Sequence, residues 1–236
     1  MTTAPTAPPS PSGVTDPAGP AADLTVLAVL DRALLGEVRR LARLAEGVAA
    51  GTVPVTERRA LAVADHVERV CEAIRHRHEA EEDLLWVLLT RHAGRALDLS
   101  GLRDDHVALR GLLGEVRRGM RGVVAALMLR SLAVATAADF ARMRTLAEGL
   151  AELAELLDEH VRDTGRELAA VSVPADAWHR GVRALLATAP DRAGIAVRLR
   201  ATATPGEVAA VDAALGRAGT FARHALRRRE RLVFGE

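Results

Sequence analysis

Apolar residues recur every three to four positions along four long stretches of the chain, the spacing that places them on one face of an α-helix. The first stretch predicts a helix from about Asp23 to Ala49, and Gly51 and Pro54 follow its end. The second stretch predicts a helix over about residues 56–91. Polar residues separate the apolar positions, so each helix is expected to bury one face only.

The third and fourth stretches have their own start signals. Ser100 is suited to cap the third helix, and Gly119 and Gly122 are expected to loosen its end. The pattern leaves open whether residues 123–135 continue this helix or form a turn.

For the fourth helix, Thr136 and Asp139 stand at the spacing of a capping box, and Pro174 is expected to close the helix. Four long amphipathic helices with short connections predict an all-α fold, an antiparallel up-and-down four-helix bundle. We assign this bundle to residues 23–172.

The two ends of the chain differ from this central part. Residues 1–22 are rich in Pro, Ala, Thr and Ser and are predicted to form a disordered N-terminal tail. Residues 173–236 are predicted to add a small C-terminal extension of two to four short helices. One of these opens near Trp178, another is signalled by the run Thr204–Glu207, and the last is rich in arginine.

Composition restricts the classes of function. The 236 residues include only three Phe and two Trp, so aliphatic side chains must fill the core. A net charge of +1 favours neither nucleic acid nor a membrane as a partner, although the basic C-terminal helix can offer a docking surface to an acidic protein. Cys71 is the single cysteine, falls on an apolar stripe and is expected to be an inert core thiol. No secretory signal or apolar run of membrane-spanning length is present, and we expect a cytoplasmic protein.

The candidate chemistry lies in three acidic stretches that each contain a histidine: His78 in HRHEAEEDLLW, His106 in LRDDHVALRGLL and His160 in LLDEHVRDTGREL. His106 and His160 fall on apolar stripes, so their side chains are expected to face the bundle interior. Glu81 shares an apolar face with His78, and a buried carboxylate is costly unless it is paired or binds a metal. Glu82 is an alternative partner for His78. Histidine and carboxylate that converge from several helices are how helical bundles hold iron.

Other kinds of site find little support. No nucleophile–base pair, glycine-rich phosphate loop or Cys/His zinc spacing is present, so we expect binding or sensing rather than catalysis. The acidic run Glu79–Asp83 would by default be a solvated face. His66, His76 and His92 are expected to be solvated or half-buried.

The same segments resemble the hemerythrin-like (HHE) family of iron-binding four-helix bundles. VADHVERVCEAIRHRHEAEEDLLWVLL is similar to the second helix of the family, and DDHVALRGLL and LLDEHVRDTGREL are similar to its third and fourth helix motifs. The region after Pro174 is similar to the C-terminal part of a bacterial subgroup. The resemblance covers about residues 24–172 and implies a non-haem iron cofactor. The implied roles are binding of O₂ or NO, redox sensing, or iron handling.

The resemblance also implies a set of metal ligands. These are His78, Glu81 or Glu82, His106 and His160, with Asp31 at the position where the family usually has a histidine. All but Asp31 lie within the segments that carry the resemblance.

Three positions depart from the family pattern. If Glu81 is the ligand of the second helix, Arg77 stands where its histidine partner belongs, whereas His78 with Glu82 keeps the His-x3-Glu pair intact. Thr164 and Gly165 occupy the positions of a carboxylate in the fourth helix. A mononuclear site, a dinuclear site and loss of the metal all remain open.

Two functions follow, and two side chains distinguish between them. The first is an iron-binding protein, and the alternative is a metal-free helical scaffold that acts through protein contacts. Arg77 and Thr164 both directed into the bundle would favour the scaffold. Arg77 directed outward, with His78 and Glu81 inward, would favour iron.

Overall fold

The computed structural model describes residues 22–93, 97–128, 136–216 and 223–235, and every regular element within these ranges is helical. The helices are α1 (Thr25–Ala49), α2 (Glu57–Ala80), α3 (Trp86–His92), α4 (Ser100–Met128), α5 (Ala137–Ala169), α6 (Ala175–Thr188), α7 (Arg192–Thr202), α8 (Val208–Leu215) and α9 (Arg223–Phe234), with a π-helical segment (Glu81–Leu85) between α2 and α3. The predicted disordered tail, except for residue 22, and residues 129–135 of the undecided segment lie outside the described residues.

The four long helices pack side by side. Helix α1 contacts α2 and α5, and α4 also contacts α2 and α5, so the four enclose a common interior. Leu41, Ile74, Leu109 and Leu153 lie there, fully buried, one from each helix. Cys71 is buried as well, and burial raises the pKa of its thiol to about 12, which suits the predicted inert core thiol. None of the described helices combines the length and apolarity needed to cross a membrane.

Helix α4 is longer than its glycines suggested. The prediction that Gly119 and Gly122 loosen the end of the third helix is wrong, because α4 continues through both of them. Met120 and Val123 keep the buried stripe intact on either side of Gly122. Burial of such side chains offsets the cost of a glycine inside a helix, about 1 kcal/mol relative to alanine.

The helix starts agree only in part with the predictions. Thr136 and Asp139 form the expected capping box at the start of α5. Ser100, however, is the first residue of α4 and not its cap. Its backbone N–H donates to the Asp98 carboxylate at 3.0 Å, so Asp98 supplies the capping oxygen.

The extension contributes four described helices, α6–α9. The apolar faces of α6, α7 and α8 join the core of the bundle, and Phe234 of α9 packs against it. Trp178 is fully buried, and its Nε1 donates to the backbone oxygen of Asp23 at 2.7 Å, which ties α6 to the segment before α1. The start signal at Thr204 forms a turn in which the Thr204 backbone N–H donates to Glu207 at 2.9 Å, while α8 begins only at Val208. The division of the chain between residues 172 and 173 stays a prediction.

Replacing Trp178 tests how firmly the extension is held. We expect Trp178→Ala to lower the free energy of unfolding by about 3–5 kcal/mol, because a large buried side chain leaves a cavity and a backbone carbonyl loses its donor. Val107→Ala, at a position with 61% exposure, is the control and should change stability by less than about 0.5 kcal/mol. Urea denaturation followed by circular dichroism measures both. Equal stabilities of the two variants would contradict the tight docking of α6.

Candidate metal centre

A change of helical type positions the first two candidate ligands. Helix α2 passes directly into the π-helical segment, whose wider turn shifts the phase of the residues that follow. His78 and Glu81 are both buried, and so are Leu85 and Trp86 beyond them. The helix predicted over about residues 56–91 is thus present as one continuous helical run from Glu57 to His92. The π-helical segment within it was not predicted, and it keeps both the candidate ligands and the next apolar residues inside.

Two further histidines complete a compact group. His106 from α4 and His160 from α5 meet His78 and Glu81, and one ligand atom from each of the four lies within 4.8 Å of the others. His106 Nε2 lies 3.1 Å from His160 Nε2. Glu81 Oε2 lies 3.6 Å from His106 Nε2 and 3.3 Å from His160 Nε2. We call His78, Glu81, His106 and His160 the four-residue centre.

Carboxylates at the outer edge orient two of the imidazoles. His106 Nδ1 lies 2.6 Å from Glu82 Oε1, and His160 Nδ1 lies 3.2 Å from Asp105 Oδ2. An imidazole that donates its Nδ1–H to a carboxylate has the lone pair of Nε2 available on its other side, as in many metal-bound histidines. The two Nε2 atoms and the Glu81 oxygen then face one another as hydrogen-bond acceptors. Because the lone pairs of three acceptors repel one another, a proton or a cation must lie between them.

In the absence of a metal a proton meets this requirement. Burial alone would lower the pKa of His160, but its contacts with Glu81 and Asp105 outweigh burial and raise that pKa above its usual value. The pKa of His78 falls well below its usual value, chiefly because of burial, so this imidazole is neutral and available as a ligand.

A buried arginine adjoins the centre. Arg77 Nη1 donates to Glu81 Oε2 at 2.8 Å, and its Nε donates to Asp31 Oδ1 at 3.1 Å. Burial alone would raise the pKa of Glu81, but Arg77 and the neighbouring histidines hold it well below its usual range. Burial raises the pKa of Asp31 in spite of Arg77. Arg77 thus supplies a fixed positive charge for two buried carboxylates.

Four of the six residues proposed as ligands come together in the centre, and two lie beside it. Glu82 is half-exposed and contacts the outer nitrogen of His106, so Glu81, not Glu82, accompanies His78 into the interior. Asp31 pairs with Arg77 and is separate from the four-residue centre.

Of the two outcomes set out for Arg77 and Thr164, the one that favours the scaffold is met, and the one that favours iron fails because Arg77 is not directed outward. Both side chains are buried, yet His78 and Glu81 also face inward. The Thr164 hydroxyl lies 3.3 Å from His160 Nε2, at the edge of the centre.

Some residues around the site were not foreseen. Asp105 received no role, and the only signal was an acid directly before His106. Trp86 is buried and stacks on the His106 ring with 4.7 Å between centroids and 15° between planes. The prediction that His66 is solvated or half-buried is wrong, because it is buried on α2 with its Nε2 2.6 Å from the Glu37 carboxylate of α1.

Comparison with known proteins identifies the family. The chain matches the Hemerythrin HHE cation binding domain over residues 31–171, more than half of its length. The chain therefore belongs to this family, as the resemblance predicted. The matched region contains the whole four-residue centre, whereas α6–α9 lie beyond it. Searches of curated proteins and of solved structures returned no significant match.

Removing the Arg77 charge should destabilise the protein prepared without metal. Arg77→Met leaves the Asp31 carboxylate buried without its partner, and we expect a loss of about 3–5 kcal/mol in urea denaturation. The double variant Arg77→Met/Asp31→Leu should recover only part of that loss, because it removes both charges of this pair but leaves Glu81 without its guanidinium partner. Arg75→Met, on the exposed face of the same helix, is the control and should cost less than about 1 kcal/mol. A single variant as stable as this control would contradict the role of the buried pair.

Proposed function

We propose that this hemerythrin-like protein binds one non-haem iron ion through His78, Glu81, His106 and His160. Family membership supports a metal, and the three imidazoles and one carboxylate are a donor set that suits iron and related transition metals. The proposed role is O₂, NO or redox sensing, or iron handling, without catalytic turnover.

The observation that carries the proposal is the convergence of acceptor atoms in the four-residue centre. Three of these atoms lie 3.1–3.6 Å apart, namely Nε2 of His106, Nε2 of His160 and Oε2 of Glu81. On the other side of each of these two imidazoles, Nδ1 contacts a carboxylate. Glu81 Oε1 is also buried and has no hydrogen-bond partner among the described residues. Buried acceptors of this kind are rarely left unsatisfied, so the donor set fits a bound cation.

A single ion agrees better with this site than a pair. Arg77 already supplies positive charge between Asp31 and Glu81, and Thr164 offers a hydroxyl where the resemblance implies a carboxylate. A second cation would therefore meet the repulsion of a buried guanidinium and would lack an anionic ligand. We propose a mononuclear centre on these grounds.

The surrounding residues have separable roles. Glu82 and Asp105 hold the orientation of His106 and His160, and the stacked ring of Trp86 covers one face of His106. The four residues of the centre would hold the ferrous iron, which would supply the chemistry for binding O₂ or NO. The Thr164 hydroxyl is a hydrogen-bond donor at the edge of the centre.

We further propose the antiparallel up-and-down order for the four long helices. Asp31 and His106 lie near the first residues of α1 and α4, whereas Glu81 and His160 lie at or beyond the last part of α2 and α5. Side chains from alternating helix ends meet at one level only if neighbouring helices run in opposite directions.

Iron content tests the proposal directly. Protein purified without chelator, or reconstituted anaerobically with ferrous iron, should contain about one iron per chain, and Glu81→Gln and His160→Ala should each lose most of it. His224→Ala removes an exposed histidine outside the bundle and is the control. Elemental analysis gives the occupancy. About two irons per chain would contradict the mononuclear centre, and none after reconstitution would contradict iron binding.

Tryptophan fluorescence offers a second measurement. In Trp178→Phe the remaining Trp86 stacks on a proposed ligand, so added ferrous or cobaltous ion should quench its emission until one equivalent is bound. In Trp86→Phe the remaining Trp178 should respond much less. Equal quenching in the two variants would indicate that metal does not bind at His106.

The second candidate function is a metal-free scaffold, and one observation favours it. Arg77 and Thr164 both face the interior, so the charge of Glu81 has a partner even without an ion. In that case the bundle acts through its surface. Iron content distinguishes the two functions, because the scaffold has none under any loading condition.

A further inference from the structure

A polar cavity lies between the bundle and the extension, away from the four-residue centre. Its volume is about 570 Å³, it opens to solvent, and side chains of α1, α7 and α9 line it. Its lining contains five arginines, Arg32, Arg40, Arg198, Arg200 and Arg227, but only two acids, Glu37 and Glu230. The walls are therefore predominantly cationic.

The most buried of these arginines lacks a full set of partners. Arg198 is 6% exposed, and its Nη1 has no hydrogen-bond partner among the described residues. Its Nη2 reaches Asp191 only at 3.4 Å, close to the limit of a hydrogen bond. Nη1 itself has almost no accessible surface, so Arg198 attracts an anionic ligand in the cavity through its buried charge and not through this unpaired atom.

The acids of the lining are already engaged. Glu37 lies 2.6 Å from His66 Nε2 and 3.1 Å from Arg40 Nη1, and Glu230 lies 4.0 Å from the same Arg40 atom. Arg32 pairs with Glu207 at 2.6 Å. Among the lining arginines, Arg227 is exposed and can contact a ligand directly, and Arg198 adds a buried positive charge beside the cavity.

A glycine in the wall preserves space. Gly36 lies in the middle of α1 and lines the cavity, and a Cβ added there would meet no atom within 4 Å. Packing therefore does not require glycine, although an interior glycine costs a helix about 1 kcal/mol relative to alanine. The open space beside it is where a bound molecule would contact the backbone of α1.

We propose that this cavity binds a phosphorylated small molecule, whose phosphate groups contact Arg227 and are attracted by the buried charge of Arg198. The planar guanidinium matches the geometry of phosphate oxygens through paired N–H donors. The volume lies within the range of small-molecule sites, roughly 300–1,000 Å³, and exceeds the need of an inorganic phosphate. The ligand thus carries an organic part beside Gly36. The site shares no residue with the metal centre and stands whether or not that centre binds iron.

Isothermal titration of the full-length chain with pyrophosphate and with ADP tests this site. The titrations are run before and after removal of metal by chelator and dialysis, so that binding of phosphate to a metal ion is separated from binding to the cavity. We expect saturable binding of both probes at about one site per chain in either state, tighter for ADP.

Variants then locate the site. Arg198→Gln and Arg227→Gln should each weaken binding about tenfold or more, and Gly36→Met should do the same by filling the space. Arg227 is exposed, so its substitution keeps the test valid if Arg198→Gln fails to fold. Arg228→Gln, an exposed neighbour that does not line the cavity, and Gly36→Ala are the matched controls and should bind as the parent does.

Three results would overturn the proposal. One is the absence of saturable binding of either probe at millimolar concentration. Another is equal weakening by Arg227→Gln and Arg228→Gln, which would indicate a general surface-charge effect. The third is binding that disappears when metal is removed, because the phosphate would then bind the ion and not the arginines.

Discussion

The structure depends on the negative charge of Glu81, which is held at zero exposure in the middle of a helical bundle. An isolated carboxylate cannot stay ionised in such a place, because its loss of hydration costs several kcal/mol. The fold keeps it ionised by surrounding it with Arg77 from its own helix and with His106 and His160 from two others. These contacts constrain how α2, α4 and α5 pack, since moving any of them would leave a buried charge without a partner.

The π-helical segment follows from the same constraint. Arg77, His78 and Glu81 must all face the interior, and so must Leu85 and Trp86 just beyond. A regular α-helix would turn part of this set toward solvent, whereas one wider turn accommodates both groups of residues. The local irregularity therefore allows one helix to provide charged groups for the centre and apolar groups for the core.

The helical spacing of residues along the chain was sufficient to predict several features of the structure. His106 and His160 recur with the leucines of their helices, and Glu81 recurs with the apolar face of His78, so their inward orientation follows from spacing alone. The all-helical class and the capping box of α5 were equally accessible, because they depend on residues close together in the chain.

Contacts between residues of different helices could not be predicted from the spacing of residues along the chain. Asp105 contacts a histidine 55 residues away, and His66 is buried because α1 presents Glu37 to it. The inward position of Arg77 is a matter of register, which the sequence left undecided between Glu81 and Glu82. Each case requires knowledge of which helix lies opposite, and that knowledge is absent from local spacing.

The ion pair between Arg77 and Asp31 has a consequence for the order of events in the cell. Many metal sites are assembled from carboxylates that repel one another until the ion arrives, so that folding waits for the metal. Here the cation is the guanidinium of Arg77, which is part of the polypeptide from the moment of synthesis and cannot exchange with solvent. The polypeptide can thus fold before any metal binds. Metal binding after folding is then reversible, and its occupancy depends on the concentration of the free metal ion.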